Sequence, residues 1–361
     1  MGGRHLAESI VTDTATRILS DLADPQSVNR ARDTVWEPEL WRALSGAGLP
    51  LAWVQDDLGG AGGESADGFE LARVSGEFAA PAPLTETLLA GWLLAQAKIV
   101  SPTGVMTVAP CRWNDVIGMR PDGRLMGRAR GVPFAPASEH IAVVVTDAEG
   151  CRIACVATSA CRIAIGKSLA GDKVGDVSFD GVKPIAIADA PTGFDAAKLM
   201  TMGAAMRALE TAGALQALLR MSTQYAGERV AFGKPIAKFQ AVQHNLARLA
   251  GEAAAAMAAA SSAADALSTI AVDPRKFDEG IFLEVASARI RSAEAATEGA
   301  AIAHQVFGAI GFTKEHVLHR FTMRMLSWRD DFGNESQWAL ELGNQIAKRG
   351  ADGLWPFLSS R

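Results

Sequence analysis

The feature that most constrains this chain is a change of hydrophobic period. From Phe194 to the C-terminus, apolar residues keep helical spacing with few breaks, in four long segments near 196–226, 237–268, 276–307 and 314–349. Helices of that length with an apolar face bury it against one another, so a C-terminal four-helix bundle is expected. Ala253–Ala260 is nearly all alanine, which permits close helix approach. From about 105 to 190 the period shortens to that of strands: His140–Thr146 and Cys151–Ala157 flank the hairpin turn Asp147-Ala148-Glu149-Gly150, and Val174–Phe179 runs into the turn Asp180-Gly181. Residues 4–100 again carry helical spacing, broken by turns. The expected architecture is α+β and multi-domain: an N-terminal helical domain (1–104), a central small antiparallel β domain (105–190) and a C-terminal four-helix bundle (191–361).

Charge and composition narrow the function. Thirty-five basic against forty acidic residues leave a net charge of −5, so there is no positive field to gather nucleic acid or acidic lipid. Four cysteines in 361 residues, with no leader-like stretch near Met1, point to a reducing cytoplasm. Thr87–Ala95 is too short to cross a bilayer and Gly251–Leu267 contains Glu, Ser and Asp, so no membrane span is expected.

In the N-terminal region, Leu40, Trp41 and Leu44 share one side of a helix that Gly46 and Gly48-Leu49-Pro50 stop. Gly59–Gly63 lacks the lysine ending and preceding strand of a phosphate loop and reads as a plain loop. Ser65 is placed to cap a helix through Glu70–Phe78, and Thr85, after Pro81-Ala82-Pro83, to cap another carrying Leu88, Leu89, Trp92 and Leu93. The chain has no GxSxG, HExxH, Walker lysine loop or strand–GxGxxG–helix unit. Cys151, Cys155 and Cys161 lie in strands without paired CxxC spacing and read as buried thiols; His304, His316 and His319 lack an acidic partner at metal-site spacing and read as helix-surface or loop residues. No metal is expected.

Two stretches remain. Glu228–His244 is a turn between long helices holding Arg229, Phe232, Gly233, Pro235, Phe239, Gln240 and Gln243. An arginine fork beside a tight Gly/Pro turn suits a diphosphate, and the helix that follows offers free N–H groups to an anion. The second is the break Gln305–Thr313, where Gly308 and Gly311 would let a flat or charged ligand approach the backbone.

These stretches resemble the flavin-dependent acyl-CoA dehydrogenases, specifically the base-poor subunit of heteromeric members. The pattern R-x-x-F-G-x-P-I-x-x-F-Q-x-x-Q runs from Arg229 to Gln243 and Q-V-x-G-x-x-G-F-T from Gln305 to Thr313; Gly48-Leu49-Pro50, the Gly59–Gly63 loop and Asp176–Val182 also look like family landmarks. The resemblance implies the fold order derived above, an FAD cofactor, and oxidation of an acyl-CoA thioester to the trans-2-enoyl-CoA, a β-oxidation step of lipid metabolism. It further implies a homo- or hetero-tetramer with another acyl-CoA dehydrogenase subunit and electron-transferring flavoprotein as acceptor. Carried over residue by residue, Arg229, Phe232, Phe239, Gln240, Gln305 and Gly308 would hold the adenosine diphosphate half of an FAD seated on the neighbouring subunit. Ala309 stands where the family has a second glycine.

The family reaction needs a carboxylate to take the proton α to the thioester. Counting from Gln305, the usual glutamate position falls at Phe332, or at Gly333 with a one-residue shift; the alternative position, early in the first bundle helix, falls near Gly203. None is acidic, which leaves Asp331 and Glu335 as candidates for a displaced base. The segments that cradle the flavin ring in relatives have no counterpart between Val105 and Pro184, where Val108–Arg112 and Ile163–Leu169 lack the polar residues. Three readings follow: a subunit whose sister chain supplies base and ring contacts, a self-sufficient homo-oligomer using Asp331 or Glu335, and a non-catalytic structural or acyl-CoA-binding relative.

Overall fold

The computed structural model describes residues 10–30, 38–147, 150–269 and 277–359. In the N-terminal region α1 (Ile10–Leu22), α2 (Pro25–Arg30), α3 (Pro38–Gly46), α4 (Ser65–Glu77) and α5 (Leu84–Gln96) follow one another. Leu40 and Leu44 are buried as their spacing requires. The caps differ from expectation. Helix α4 begins at Ser65 itself, and its capping box is made by Glu64 and Asp67. Helix α5 begins one residue before Thr85, whose hydroxyl instead donates to Glu210 Oε1 across 2.8 Å. A hydroxyl that finds a buried carboxylate is worth more there than on a local backbone N–H.

The β region forms two four-stranded sheets. One has the order β1 (Met106–Ala109), β4 (His140–Asp147), β5 (Gly150–Ala157), β8 (Ala186–Asp189); the other β2 (Ile117–Met119), β3 (Leu125–Pro133), β7 (Lys173–Val182), β6 (Arg162–Lys167). Residues 148–149 of the expected hairpin turn lie outside the described residues; the ladder pairs Asp147 with Gly150. Every pairing is antiparallel except β1–β4. That pair is parallel because the chain leaves for the second sheet between the two strands, a crossover no hairpin rule reveals.

In the bundle, α6 (Ala196–Glu228), a short hairpin of β9 (Val230–Ala231) and β10 (Lys234–Pro235), α7 (Gln240–Ser268) and α8 (Glu279–Phe307) match three expected segments; residue 276 lies outside the described ones. The fourth segment is not one helix. It divides into α9 (Leu318–Trp328) and α10 (Glu335–Arg349), followed by α11 (Ala351–Ser359). Phe332 and Gly333 take φ of 54° and 89°, which no α-helix accommodates, and Asn334 restarts the helix in a capping box with Gln337. Trp338 Nε1 then donates to Phe332 O at 2.9 Å, fixing the bend.

The helical domain is joined to the bundle by a close crossing of α4 and α6. A Cβ on Gly76 would overlap the Glu210 backbone, and one on Gly213 would overlap Arg73 O, so only glycine permits this approach. One apolar core runs through all three regions. Among the described residues, no helix is long and apolar enough to cross a membrane.

Candidate functional site

The first family-like stretch lies at the far end of α6. Arg229 ends that helix, and its exposed side chain makes no hydrogen bond or ion pair with the described residues. The hairpin that follows turns on Phe232 and Gly233, at φ 51° and 79°. Two consecutive positive φ values are the geometry of the tight turn whose twist suits a hairpin. Phe232 is 95% exposed, edge-on to Phe239 at 6.2 Å between ring centroids, and Lys234 Nζ sits 4.5 Å above the Phe239 ring. Gln240 opens α7 with its side chain exposed.

The second stretch ends α8. Gln305 is exposed, and Gly308 turns the chain at φ 64° with nothing within 4 Å of where a Cβ would stand. The two stretches belong to one end of the bundle: the ring of Tyr225, on the last turn of α6, stacks on Phe307, the last residue of α8, at 4.4 Å. The structure thus gathers Arg229, Phe232, Phe239, Gln240, Gln305 and Gly308 at one exposed end, with the donors of Arg229, Gln240 and Gln305 unspent. That donor set and open backbone fit the adenosine diphosphate half of a dinucleotide.

The cleft beside Asp331 has no room for a flavin ring. The cleft between the second sheet and the bundle, lined by Arg112, Phe134, Leu169, Asp330 and Asp331, holds about 260 Å³, below the usual range for small-molecule pockets. Arg112 reaches into it and donates to Asp330 O at 2.8 Å.

The two positions to which the family resemblance assigns a base meet in space. Gly203 faces Phe332, and a Cβ on Gly203 would overlap the Phe332 ring. Around this contact Gly333 lies against the indole nitrogens of Trp113 and Trp338, 2.6 and 2.8 Å from where its Cβ would be, and Trp338 packs on Trp113 and Phe282 with centroids 5.2 and 5.3 Å apart. The space is filled by this chain's own aromatic side chains.

Both displaced-base candidates are held by arginines. Asp331 Oδ2 accepts from Arg207 Nε at 3.0 Å. Burial pushes its carboxyl above the ordinary range, opposed by Arg207, Arg289 and Arg112. Glu335 pairs with Arg329; partial burial raises its carboxyl, but hydrogen bonds from its own backbone N–H and from Arg329 leave it below the usual value.

Arginines absent from the sequence reading organise this region. Arg207, 2% exposed, also binds Glu86 Oε1 and Glu210 Oε2, each at 2.5 Å. Arg289, wholly buried, donates to Gly333 O (3.0 Å), Trp328 O (2.6 Å), Arg329 O (2.7 Å) and Asp331 O (2.8 Å), and burial lowers its pKa to about 10. The sequence did carry a signal: arginines inside Ala-rich helix stretches sit in the core only when paired.

The cysteines are free, with Cys111 and Cys155 buried and the other two half-buried; burial pushes Cys151, Cys155 and Cys161 up to about 11. His304 Nε2 lies 3.1 Å from Thr322 Oγ1, and His319 Nδ1 lies 2.8 Å from His316 O.

Residues 192–334 match the family of acyl-CoA dehydrogenase C-terminal domains. The chain is 26% identical over 325 residues to acyl-CoA dehydrogenase IpdE2 of Mycobacterium tuberculosis, covering 87% of this chain and 89% of that protein. Its fold is shared with a chain of the ChsE4–ChsE5 complex from Mycobacterium tuberculosis at TM-score 0.84 and 23% identity, over 97% of this chain and 100% of that one. It is also shared with a chain of the Tcur3481–Tcur3483 steroid ACAD at TM-score 0.81 and 22% identity, over 94% and 98%. The bundle match, the relative aligned over most of the chain and the common three-part fold agree: residues 192–334 match the acyl-CoA dehydrogenase C-terminal domain, and the chain as a whole is similar to acyl-CoA dehydrogenases.

Proposed function

We propose that this protein is the base-poor subunit of a heteromeric, FAD-dependent acyl-CoA dehydrogenase, converting an acyl-CoA thioester to its trans-2-enoyl-CoA. A sister chain supplies the catalytic carboxylate and the flavin-ring contacts. One observation carries the reading: Phe332 is packed on Gly203, so both positions to which the family resemblance assigns the base are apolar and closed together. Asp331 and Glu335 do not replace it: Asp331, though raised by burial, is taken up by Arg207 in a buried cluster, and Glu335 is held by Arg329 below its ordinary value. A base engaged by a guanidinium is a poor proton acceptor. Beyond the contact lie Arg207, Glu86 and Glu210, so that interior is charged, an unfavourable surrounding for an acyl chain.

This chain's own contribution is a grip on a diphosphate. Arg229 offers a planar fork to the phosphate oxygens, Gln240 and Gln305 offer amide donors, Gly308 leaves the backbone open to close approach, and Phe232 and Phe239 offer faces for a flat base. The pairing, and a bulky acyl group such as a steroid side chain, are brought from the ChsE4–ChsE5 and steroid ACAD neighbours.

The test is purification of the full chain alone and co-expressed with a homologue that carries the base. The reading expects a colourless, inert protein alone and a yellow complex that reduces an electron acceptor with an acyl-CoA. A yellow, active single chain overturns it in favour of a self-sufficient enzyme, and a colourless, inert pair overturns it in favour of a non-catalytic relative.

A further inference from the structure

At the turn that joins β6 to β7, the ladder sets two lysines against each other. Lys167 and Lys173 are direct partners in the antiparallel pairing, which puts their side chains on one face with Cβ atoms about 5 Å apart and makes the like charges destabilising. Neither forms an ion pair with the described residues. The backbone between them cannot relieve the conflict, because the turn is anchored. Ser168 N donates to Asp172 O at 2.9 Å, and Asp172 N donates to Ser168 Oγ at 3.2 Å. The Asp172 carboxylate in turn accepts from the buried Arg324 of α9, through Nη2 at 2.5 Å and Nε at 3.2 Å. A local conflict that the fold holds in place points to a missing counter-charge.

Both lysines line the cleft of about 260 Å³ between the second sheet and the bundle, and so does Arg112. The Arg112 guanidinium lies along Gly131, where a Cβ, at φ 61°, would stand 3.0 Å from Nη2, and it spends one N–H on Asp330 O. Two acids of the cleft are taken, Asp172 by Arg324 and Asp331 by Arg207, which leaves the exposed Asp330. Counted together with the interior behind Arg207, six basic groups (Arg112, Lys167, Lys173, Arg207, Arg289 and Arg324) face five acids (Glu86, Asp172, Glu210, Asp330 and Asp331). The excess is positive, and it falls on the exposed lysine pair.

We propose that this cleft is a phosphate site, in which one phosphate group bridges Lys167 and Lys173 and takes the unspent N–H groups of Arg112. A phosphate group brings up to about two negative charges and several acceptor oxygens, so it answers both ammonium groups and the fork at once. A carboxylate, with a single charge, leaves one lysine unanswered. The Ser168 hydroxyl, whose oxygen accepts from Asp172 N, keeps its own proton to donate. The site is separate from the diphosphate grip: Arg207, which lines the cleft, and Arg229 stand about 33 Å apart along α6. Two sources share this chemistry, free inorganic phosphate and the phosphate groups of a coenzyme A thioester.

Hydrogen exchange of the full chain, read peptide by peptide, tests this, since the cleft and the grip fall in different peptides. Potassium phosphate is titrated against potassium chloride at matched ionic strength. Peptides covering 165–175 are expected to slow by the factor 1 + [L]/Kd, about elevenfold once phosphate stands at ten times its Kd, while β4 peptides stay unchanged. The slowing should vanish in the double variant Lys167→Ala, Lys173→Ala and persist in Arg229→Ala. In chloride the double variant should melt no lower than the unmodified chain, because it removes a like-charge pair. Coenzyme A that gives the same slowing at lower concentration than phosphate assigns the site to the thioester's phosphates, and coenzyme A no better than phosphate assigns it to the free ion. No slowing with either probe, slowing that survives the double substitution or is lost in Arg229→Ala, or equal slowing with pantetheine, which carries no phosphate, overturns the site.

Discussion

The ring of Phe332 occupies the ground from which a side chain at Gly203 would have to grow. This contact links the early part of the bundle's first helix to the bend between α9 and α10, and it fixes what the region can hold. At the two positions to which the family resemblance assigns a carboxylate, this chain has a hydrogen atom and a benzyl group facing one another.

Gly203→Ala is therefore expected to destabilise the protein by up to about 2 kcal/mol. Overpacking costs about 1–3 kcal/mol, and the better helix propensity of alanine returns just under 1. In a Phe332→Ala background the same substitution should be neutral or stabilising, because the colliding ring is gone. A double-mutant cycle by urea unfolding measures the coupling, and additive changes would show that the two residues do not meet.

Arg289→Met should cost at least about 3 kcal/mol, since it leaves the carbonyls of Trp328, Arg329, Asp331 and Gly333 without their shared donor. Arg289→Lys should recover only part of this, because one ammonium cannot reproduce the geometry of the fork. Thermal unfolding of the two variants at one pH gives the comparison.

Arg229→Ala should leave the unfolding free energy within about 0.5 kcal/mol, as expected for an exposed side chain that pairs with none of the described residues. In the co-expressed pair the same change is expected to empty the flavin site, read as loss of visible absorbance per protomer. Retained flavin with a merely raised substrate requirement would remove the residue from the grip.

Glu335 has its carboxyl held below the ordinary value of 4.5 by its backbone N–H and Arg329, against partial burial. A carboxylate with a depressed folded pKa adds stability above the unfolded value, and that stability is lost as pH falls through the folded one. Glu335→Gln should thus lower the melting temperature at pH 7, with the difference vanishing in acid below the folded value. The effect should be no more than about 1 kcal/mol, because the pair is partly exposed. In the assembled pair the variant should keep its kcat, and a large loss of turnover would restore Glu335 as a base.

Local pattern accounts for much of what was legible in the sequence. The period of apolar residues located the helical, β and helical regions, because burial of one face imposes its own spacing wherever an element forms. Arg229 to Gln243 and Gln305 to Thr313 were visible as contiguous motifs, and the Tyr225–Phe307 stacking sets both at one end of the bundle. The divided fourth helix was less visible, although Asn334 and Gln337 stand at capping-box spacing. Helical spacing on both sides of the bend masked two residues of positive φ.

Only the tertiary structure decided the interior. Glu86, Arg207, Glu210 and Asp331 are drawn from three separate segments, and no spacing along the chain states that one guanidinium answers three acids. The parallel β1–β4 pair and the meeting of Phe332 with Gly203 have the same origin. Short-range sterics and periodic burial act between neighbours and are written in the sequence. Long-range charge pairing and packing depend on where distant segments come to rest, and that is settled by the fold as a whole.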